Sequence, residues 1–308
     1  MITYRELSSL SSDLGFSAKA LYSVSNDLDS HYHSAQIPKG DSGERQLSVP
    51  DSFLKTIQVR IYERLLSLET ISPYATAYRP GGSTLVNAKP HVGQSAVLKL
   101  DVRNFYDNLV YPIVKAKAFP AERYSEANRI LLAILCTYRG SLPQGAPSSP
   151  AISNIVMRDF DDAIGEWCRG RRIRFTRYCD DLTFSGTFQP ADVIARVESE
   201  LHTLGLYLNR GKTVFVRSGQ RHMVTGIVVN EQAHIPAAYK RRLRQELYYC
   251  IKFGVDSHMK KKSLHENREH YMLSLLGKVN YVLSVEPGSR EMLRYRNWLS
   301  GQLRQAQP

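Results

Sequence analysis

The stretch RYCDDLTFSG (177–186) places two adjacent carboxylates, Asp180 and Asp181, where the flanking residues read as strand. Ile173, Phe175 and Tyr178 on one side, and Leu182 and Phe184 on the other, form two short apolar runs with the acids at the bend between them. Like charges side by side repel, and Asp is a poor strand residue, so something must compensate. A third carboxylate, Asp101, ends the alternating stretch SAVLKLDV (95–102). There Ala96, Leu98 and Leu100 point to one face and Val97, Lys99 and Asp101 to the other. If these strands are neighbours, three carboxylates converge at one sheet edge. Oxygen donors without Cys/His spacing of zinc type suit Mg²⁺ rather than Zn²⁺. Two such ions can lower the pKa of an attacking hydroxyl and stabilise a leaving pyrophosphate in an in-line displacement. The other acidic pair, Asp161–Asp162, reads as solvated residues on the exposed face of a helix.

Both helices and strands must hold these acids in place. Residues 5–30 have weak helical patterning, and IPKGDSGERQLSVP (37–50) has the turn chemistry of a basic hairpin. Helical spacing of Leu54, Ile57, Ile61, Leu65 and Leu68 predicts a helix over 53–68, followed by a Gly/Pro/Asn loop at 80–93. A helix is expected at 125–138. LPQGAPSSP (142–150) is a loop that turns into a helix start, with Ser149 as cap and Pro150 in the first turn, and that helix runs to about Trp167. A hairpin at 173–185, a helix at 190–204 and strands near 206–216 and 222–229 are expected to complete a mixed sheet. From about residue 237 the chain is helical and basic. An α+β core with a helical appendage follows.

Composition narrows the partners. The chain has 308 residues, and 41 Lys and Arg stand against 29 Asp and Glu, a formal charge of +12. Such an excess favours a polyanion, and without a strongly amphipathic basic helix at the N-terminus nucleic acid is favoured over a membrane surface. The longest apolar run, ILLAILC (130–136), is far shorter than the roughly 18 residues a membrane span needs. The start of the chain has no signal-peptide core, so a cytoplasmic protein is expected. Four cysteines (136, 168, 179, 250) read as buried thiols of a reducing compartment. Basic stretches at 169–177 (RGRRIRFTR), 239–244 (YKRRLR) and 260–262 (KKK) offer a phosphate track, in which Arg171, Arg172, Lys240, Arg241, Arg242 and Arg244 are the candidate RNA contacts. Tyr239, Tyr248, Tyr249, Tyr271, Tyr281 and Trp298 sit among the basic residues of the tail, some as core and one or two as stacking surfaces for unpaired bases.

In order along the chain, an Asp at a strand end, Leu-Pro-Gln-Gly (142–145) and Tyr-Cys-Asp-Asp (178–181) form a set that resembles the reverse transcriptases. The resemblance spans about residues 30–230. NAKPH (87–91), LPQGAPSSPAISN (142–154) and VTG (224–226) resemble elements of the bacterial retron branch of that family. It implies an α+β, right-hand polymerase fold with an RRM-like palm sheet. An N-terminal helical segment (1–30) would precede the fingers (31–94). The first catalytic strand of the palm (95–111), a fingers–palm connection (112–149), the rest of the palm (150–230) and a helical thumb for RNA recognition (231–308) would follow.

Residue roles follow from the same resemblance. Asp101 and Asp180 would bridge two Mg²⁺ ions, for which Mn²⁺ could substitute, and Asp181 would support the site. Gln144 and Gly145 would line the floor under the template base and incoming nucleotide. Tyr106 would block a ribose 2′-OH, making the product DNA. Lys39 and Arg45 would clamp the triphosphate, with Arg45 favoured because a guanidinium grips phosphate with two donors. Arg79 and Lys89 are weaker candidates. Lys212, in LNRGKTVF, matches the lysine of the fourth motif and could protonate or neutralise the leaving pyrophosphate. Cys179 is read as packing and His91 as a hydrogen-bonding structural residue.

The implied activity is RNA-directed DNA synthesis on one dedicated structured non-coding RNA. Priming from a guanosine 2′-OH would leave a branched RNA–DNA hybrid. The implied substrates are dNTPs. The implied role is anti-phage defence with a separate effector protein, no effector domain being evident in the chain. A group II intron-type enzyme and an inactive RNA-binding scaffold are the alternatives.

Overall fold

The computed structural model describes residues 3–38 and 44–305; the side chains of Arg45 and Gln305 lie outside that description. The chain divides into two compact units. One comprises residues 1–82 and 97–215, the other residues 83–96 and 216–308.

The first unit opens with α1 (Leu7–Leu14) and α2 (Ala18–Asn26), then an antiparallel hairpin of β1 (Tyr32–Pro38) and β2 (Glu44–Pro50). α3 (Ser52–Arg64) starts at Asp51, whose carboxylate accepts the Leu54 N–H, and buries Leu54, Ile57 and Ile61 as the spacing predicts. Leu68, expected on the same stripe, is exposed because the helix ends at Arg64 and a short 3₁₀ turn follows. In the second unit, the 80–93 stretch expected as loop contains a short helix, α4 (Thr84–Ala88), begun by Ser83, whose hydroxyl accepts the Val86 N–H.

β3 (Ala96–Asp101) leads into α5 (Phe105–Asn108), α6 (Tyr111–Ala118) and α7 (Glu126–Cys136). The helix expected from Ser149 to Trp167 is two: α8 (Ser149–Val156) and α9 (Arg158–Arg169), separated at Met157. Ser148, not Ser149, occupies the cap position, and Pro150 lies in the first turn. β4 (Arg174–Tyr178) and β5 (Asp181–Ser185) form the expected hairpin, and α10 (Pro190–His202) and β6 (Val214–Arg217) follow.

The principal sheet is four-stranded in the order β4-β5-β3-β6. β3 is central, and both of its faces are largely covered, so its alternation separates two packed faces rather than core from solvent. β7 (Met223–Val224) and β8 (Ile227–Val228) were expected to extend this sheet, but they pair with each other as a separate two-stranded element, and Val228 also bridges His234. The two residues between them explain the tight reversal: Thr225 (φ 43°) and Gly226 (φ 82°) are both left-handed.

In the second unit the NAKPH and VTG motifs meet. The Asn87 amide donates to the Thr225 hydroxyl at 3.4 Å, that hydroxyl donates to the Thr84 carbonyl at 3.1 Å, and the Gly93 N–H donates to the Val229 carbonyl at 3.0 Å. His91 is fully buried beside them in sequence, as a structural residue would be. The tail forms α11 (Ala237–Phe253), α12 (Val255–Lys261), α13 (Arg268–Val285) and α14 (Arg290–Gln305). Among the described residues no helix is long and apolar enough to cross a membrane.

Candidate active site

Strand register brings the acids together. β3 and β5 are antiparallel with Asp101 directly opposite Asp181, Lys99 opposite Thr183 and Val97 opposite Ser185. Cross-strand partners share a face and place their Cβ atoms about 5 Å apart, so two carboxylates confront each other there. The bend adds the third. Val102 donates its N–H to the Asp180 carbonyl at 3.0 Å, and Asn209 donates to the Asp101 carbonyl at 2.8 Å, which fixes both backbones at the strand ends. Cys179 makes the reversal in the left-handed region (φ 61°).

The electrostatics record the crowding. Although Asp181 is exposed at the strand end, desolvation within the cleft, then the charges of Asp180 and Asp101, push its carboxyl up to about 6, with Lys99 and Lys212 opposing. Lys212 reaches across to the Asp101 carboxylate, 2.8 Å to Oδ2 and 3.0 Å to Oδ1, and this contact raises its own pKa. Among the described residues no group of three or more Asp, Glu, His or Cys side chains is placed to hold a metal ion, and Asp101 is bonded to this ammonium. The donor set nevertheless fits a hard divalent cation: oxygen ligands only, excess negative charge, and a lysine ammonium occupying the position of a counter-cation.

A polar cleft of about 730 Å³ opens over these acids. It takes in Tyr106 and Gln144 with Asp101, Asp180, Asp181 and Lys212, so six of the expected site residues line one cavity. Tyr106 is half-buried. Its hydroxyl lies 3.7 Å from the Cys179 thiol, which donates to it, and Tyr106 and Tyr78 are also hydrogen-bonded. Burial is the largest cause of the rise in the Tyr106 pKa, so the phenol stays neutral. Burial likewise pushes the Cys179 thiol up to about 11, in keeping with a packing role.

Gly145 is used differently from the expectation. It sits at φ 127°, and a Cβ there would meet the Ser48 carbonyl oxygen at 2.7 Å. The Ser48 N–H donates to the Gln144 carbonyl at 2.8 Å, so the close approach that glycine permits is to strand β2 of the chain itself.

Other expected contacts scatter. Lys39 lies outside the described residues, as does the side chain of Arg45. Arg79 is committed to the Ser72 and Ala75 carbonyls at 3.1 and 3.2 Å, and Lys89 is exposed in the second unit. Arg171 and Arg172 are exposed, with the Arg171 guanidinium stacked 4.4 Å above the Trp167 ring. On α11, Arg241 and Arg242 are exposed, but Lys240 is paired with Glu286 at 2.8 Å and Arg244 with Glu291 at 2.8 Å. Those two bonds tie α11 to the residue that follows α13 and to α14, within the second unit. Of the tail aromatics Tyr271 is buried and Tyr248 is half-exposed.

Two expectations fail outright. Asp161 is not solvated: it is fully buried, as is Arg177, which was counted in the basic surface at 169–177. The two form a bidentate ion pair, Nε–Oδ1 2.7 Å and Nη2–Oδ2 2.6 Å. Burial raises the Asp161 pKa, Arg177 opposes that rise, and the geometry is that of a charged pair. Strand and helix periodicity carried the signal. Arg177 shares a face of β4 with Phe175, two residues earlier, and Asp161 shares a helical stripe with Ile164 and Cys168. Tyr78 and Asn209, which also line the cleft, had no sequence signal.

Comparison with known proteins gives the family. The family described as "Reverse transcriptase (RNA-dependent DNA polymerase)" matches residues 37–235. The retron Ec83 reverse transcriptase of Escherichia coli is 31% identical over 281 residues, covering 85% of this chain and 86% of that protein. The chain belongs to the retron reverse transcriptases. The retron Mx65 reverse transcriptase of Myxococcus xanthus is 32% identical over 286 residues, covering 86% of this chain and 64% of that protein. Among solved structures, a Candida albicans telomerase in complex with a telomeric RNA fragment aligns with a TM-score of 0.48 at 11% identity, over 89% of this chain and 64% of that one. This retron-type chain therefore belongs to a family of RNA-directed DNA polymerases, which depends on divalent metal in general, and its mixed helices and sheet are of the expected α+β class.

Proposed function

We propose that this retron reverse transcriptase copies part of one structured non-coding RNA into a branched RNA–DNA hybrid, primed from a guanosine 2′-OH, by two-metal nucleotidyl transfer. The observation that carries the chemistry is the direct pairing of Asp101 with Asp181 beside the Asp180 bend, in a cleft that also holds Tyr106, Gln144 and Lys212. Asp101, Asp180 and Asp181 would hold two Mg²⁺ ions, which supply activation of the attacking hydroxyl and neutralisation of the leaving pyrophosphate.

The chain's own residues do the rest. Tyr106 presents a neutral ring and hydroxyl against which a ribose 2′-OH clashes. Gln144, fixed through its backbone to β2, lines the nucleotide floor. Lys212 holds its proton firmly while bonded to Asp101. It is half-exposed and long enough to turn from that carboxylate toward the pyrophosphate oxygens. Lys39 and Arg45 complete the reading as triphosphate contacts. Arg171, Arg172, Arg241 and Arg242 are the RNA contacts it retains. Lys240 and Arg244 fall to a bracing role through Glu286 and Glu291. A separate effector and anti-phage defence complete the proposal by kinship.

The test is primer extension by purified protein with Mg²⁺, dNTPs and a primed RNA template, together with analysis of the nucleic acid that co-purifies. The expected results are extension and a branched RNA–DNA species resistant to cleavage at the branch. No extension, with or without the co-purified RNA, favours an inactive scaffold. Extension with only linear nucleic acid refutes the 2′-OH priming.

A further inference from the structure

Arg177 immediately precedes the acid bend, and it is the largest wholly buried side chain in the molecule among the described residues. Its guanidinium makes four bonds. Two go to Asp161, one from Nη2 to Asn154 Oδ1 at 3.1 Å, and one from Nη1 to the Cys179 carbonyl at 3.0 Å. Its backbone is tied to the neighbouring loop: the Arg177 N–H donates to the Tyr74 carbonyl at 2.8 Å, and the Arg177 carbonyl accepts from the N–H and hydroxyl of Thr76, both at 2.9 Å. The Asn154 amide continues the network to the Ala77 carbonyl at 2.9 Å and the Tyr78 carbonyl at 3.5 Å.

Two non-glycine residues in the left-handed region thus hang on one side chain: Cys179 (φ 61°) directly, and Tyr78 (φ 55°) through Asn154. Such conformations persist where the surroundings over-determine them. Both residues then converge on the cleft, where each is hydrogen-bonded to Tyr106. A buried ion pair is a poor device for stability, because well-packed apolar residues of similar volume do as well. Its alternative use is to hold one geometry.

We infer that Arg177, through Asp161, Asn154 and the Cys179 and Tyr78 turns, is a positioning residue for sugar selection, fixing the Tyr106 wall against which the incoming ribose is read. The inference rests on the proposed gate role of Tyr106.

The experiment measures kcat/KM for dATP and ATP on a primed RNA template, alongside thermal melting. The variants are Arg177→Lys, the charge-free pair Arg177→Met/Asp161→Leu, Tyr78→Phe and Tyr106→Ala. The charge-free pair avoids an orphaned buried charge, and Tyr78→Phe removes only the hydroxyl of a half-exposed side chain, so both are compatible with folding. The two Arg177 variants are expected to lower the dATP:ATP ratio by about tenfold to a hundredfold, the scale of a displacement near 1 Å. Tyr78→Phe is expected to lower it by about threefold to tenfold, one neutral hydrogen bond. A merely structural role reduces the active fraction for both nucleotides alike and leaves the ratio unchanged. If Tyr106→Ala admits ATP while the ratio holds in the other three, the inference is overturned and the gate survives. If Tyr106→Ala still rejects ATP, the gate reading fails and takes the inference with it.

Discussion

The chain carries two Asp-Asp pairs that look alike in sequence and have opposite fates in the fold. At Asp161–Asp162, one carboxylate is fully buried and answered by two guanidinium nitrogens, while its neighbour stays partly exposed. At Asp180–Asp181, neither acid has an arginine. Asp181 faces Asp101 across the ladder, and the Lys212 ammonium is bonded to Asp101, leaving Lys212 and Lys99 to act on Asp181 only through space. The difference teaches that an acidic pair is defined by the cation that answers it. A fixed protein cation makes a brace, whereas an unmet charge at a cleft makes a place for a mobile one. Arg177 connects the two pairs, since the guanidinium that satisfies Asp161 also grips the carbonyl before Asp180.

The comparison breaks most visibly in activity. Asp101→Asn and Asp180→Asn each remove a cation ligand and are expected to cut primer extension by about 10³-fold or more, several kcal/mol of transition-state stabilisation. Melting temperature should hold or rise, because a repulsion is relieved; a loss of folding in both variants would show that these acids serve the fold instead. Next in size, Asp161→Ala leaves Arg177 buried and unpaired, which costs about 3–5 kcal/mol in denaturant unfolding. A cost near that of a surface change would mean the buried pair braces nothing.

A pH comparison sharpens the contrast further. The Asp181 carboxyl titrates near 6 when folded, above its unfolded value, so the folded state binds its proton more tightly. Its contribution therefore favours folding below the ordinary carboxylate range and is lost as pH rises to about 6. With divalent metal withheld, the wild type should lose melting temperature between pH 4 and pH 7 relative to Asp181→Asn; parallel curves would deny the crowding. Asp162→Asn should have the smallest effect, within about 0.5 kcal/mol of wild type. A larger loss would mean that both members of the pair, not one, are structural.

Much of the site was legible because it lies on strands. Alternation in SAVLKLDV put Asp101 at a strand end, and the apolar runs on both sides of Tyr178 and Leu182 put the second pair at a bend. The network behind them was misread because charge was weighed without phase. Five arginines between 169 and 177 suggest a solvated surface, yet β4 is buried through Phe175, Thr176 and Arg177, with Phe175 and Arg177 on one face. Gly145 was recognised as a point of close approach, but its neighbour, Ser48, is nearly 100 residues upstream, and nothing local names it. The same holds for Asn87 and Thr225, two motifs apart in sequence whose side chains meet only once the 83–96 segment packs within the second unit. β7 and β8 stand apart from the main sheet because the left-handed Thr225–Gly226 reversal pairs them with each other and Val228 takes His234 as a further partner.

The most direct measurement is Mn²⁺ binding by electron paramagnetic resonance on purified protein, comparing wild type with Asp180→Asn and Asp161→Asn. The account predicts bound Mn²⁺ in the wild type, its loss in Asp180→Asn, and retention in whatever folded fraction of Asp161→Asn remains. Undiminished Mn²⁺ binding by folded Asp180→Asn would contradict it.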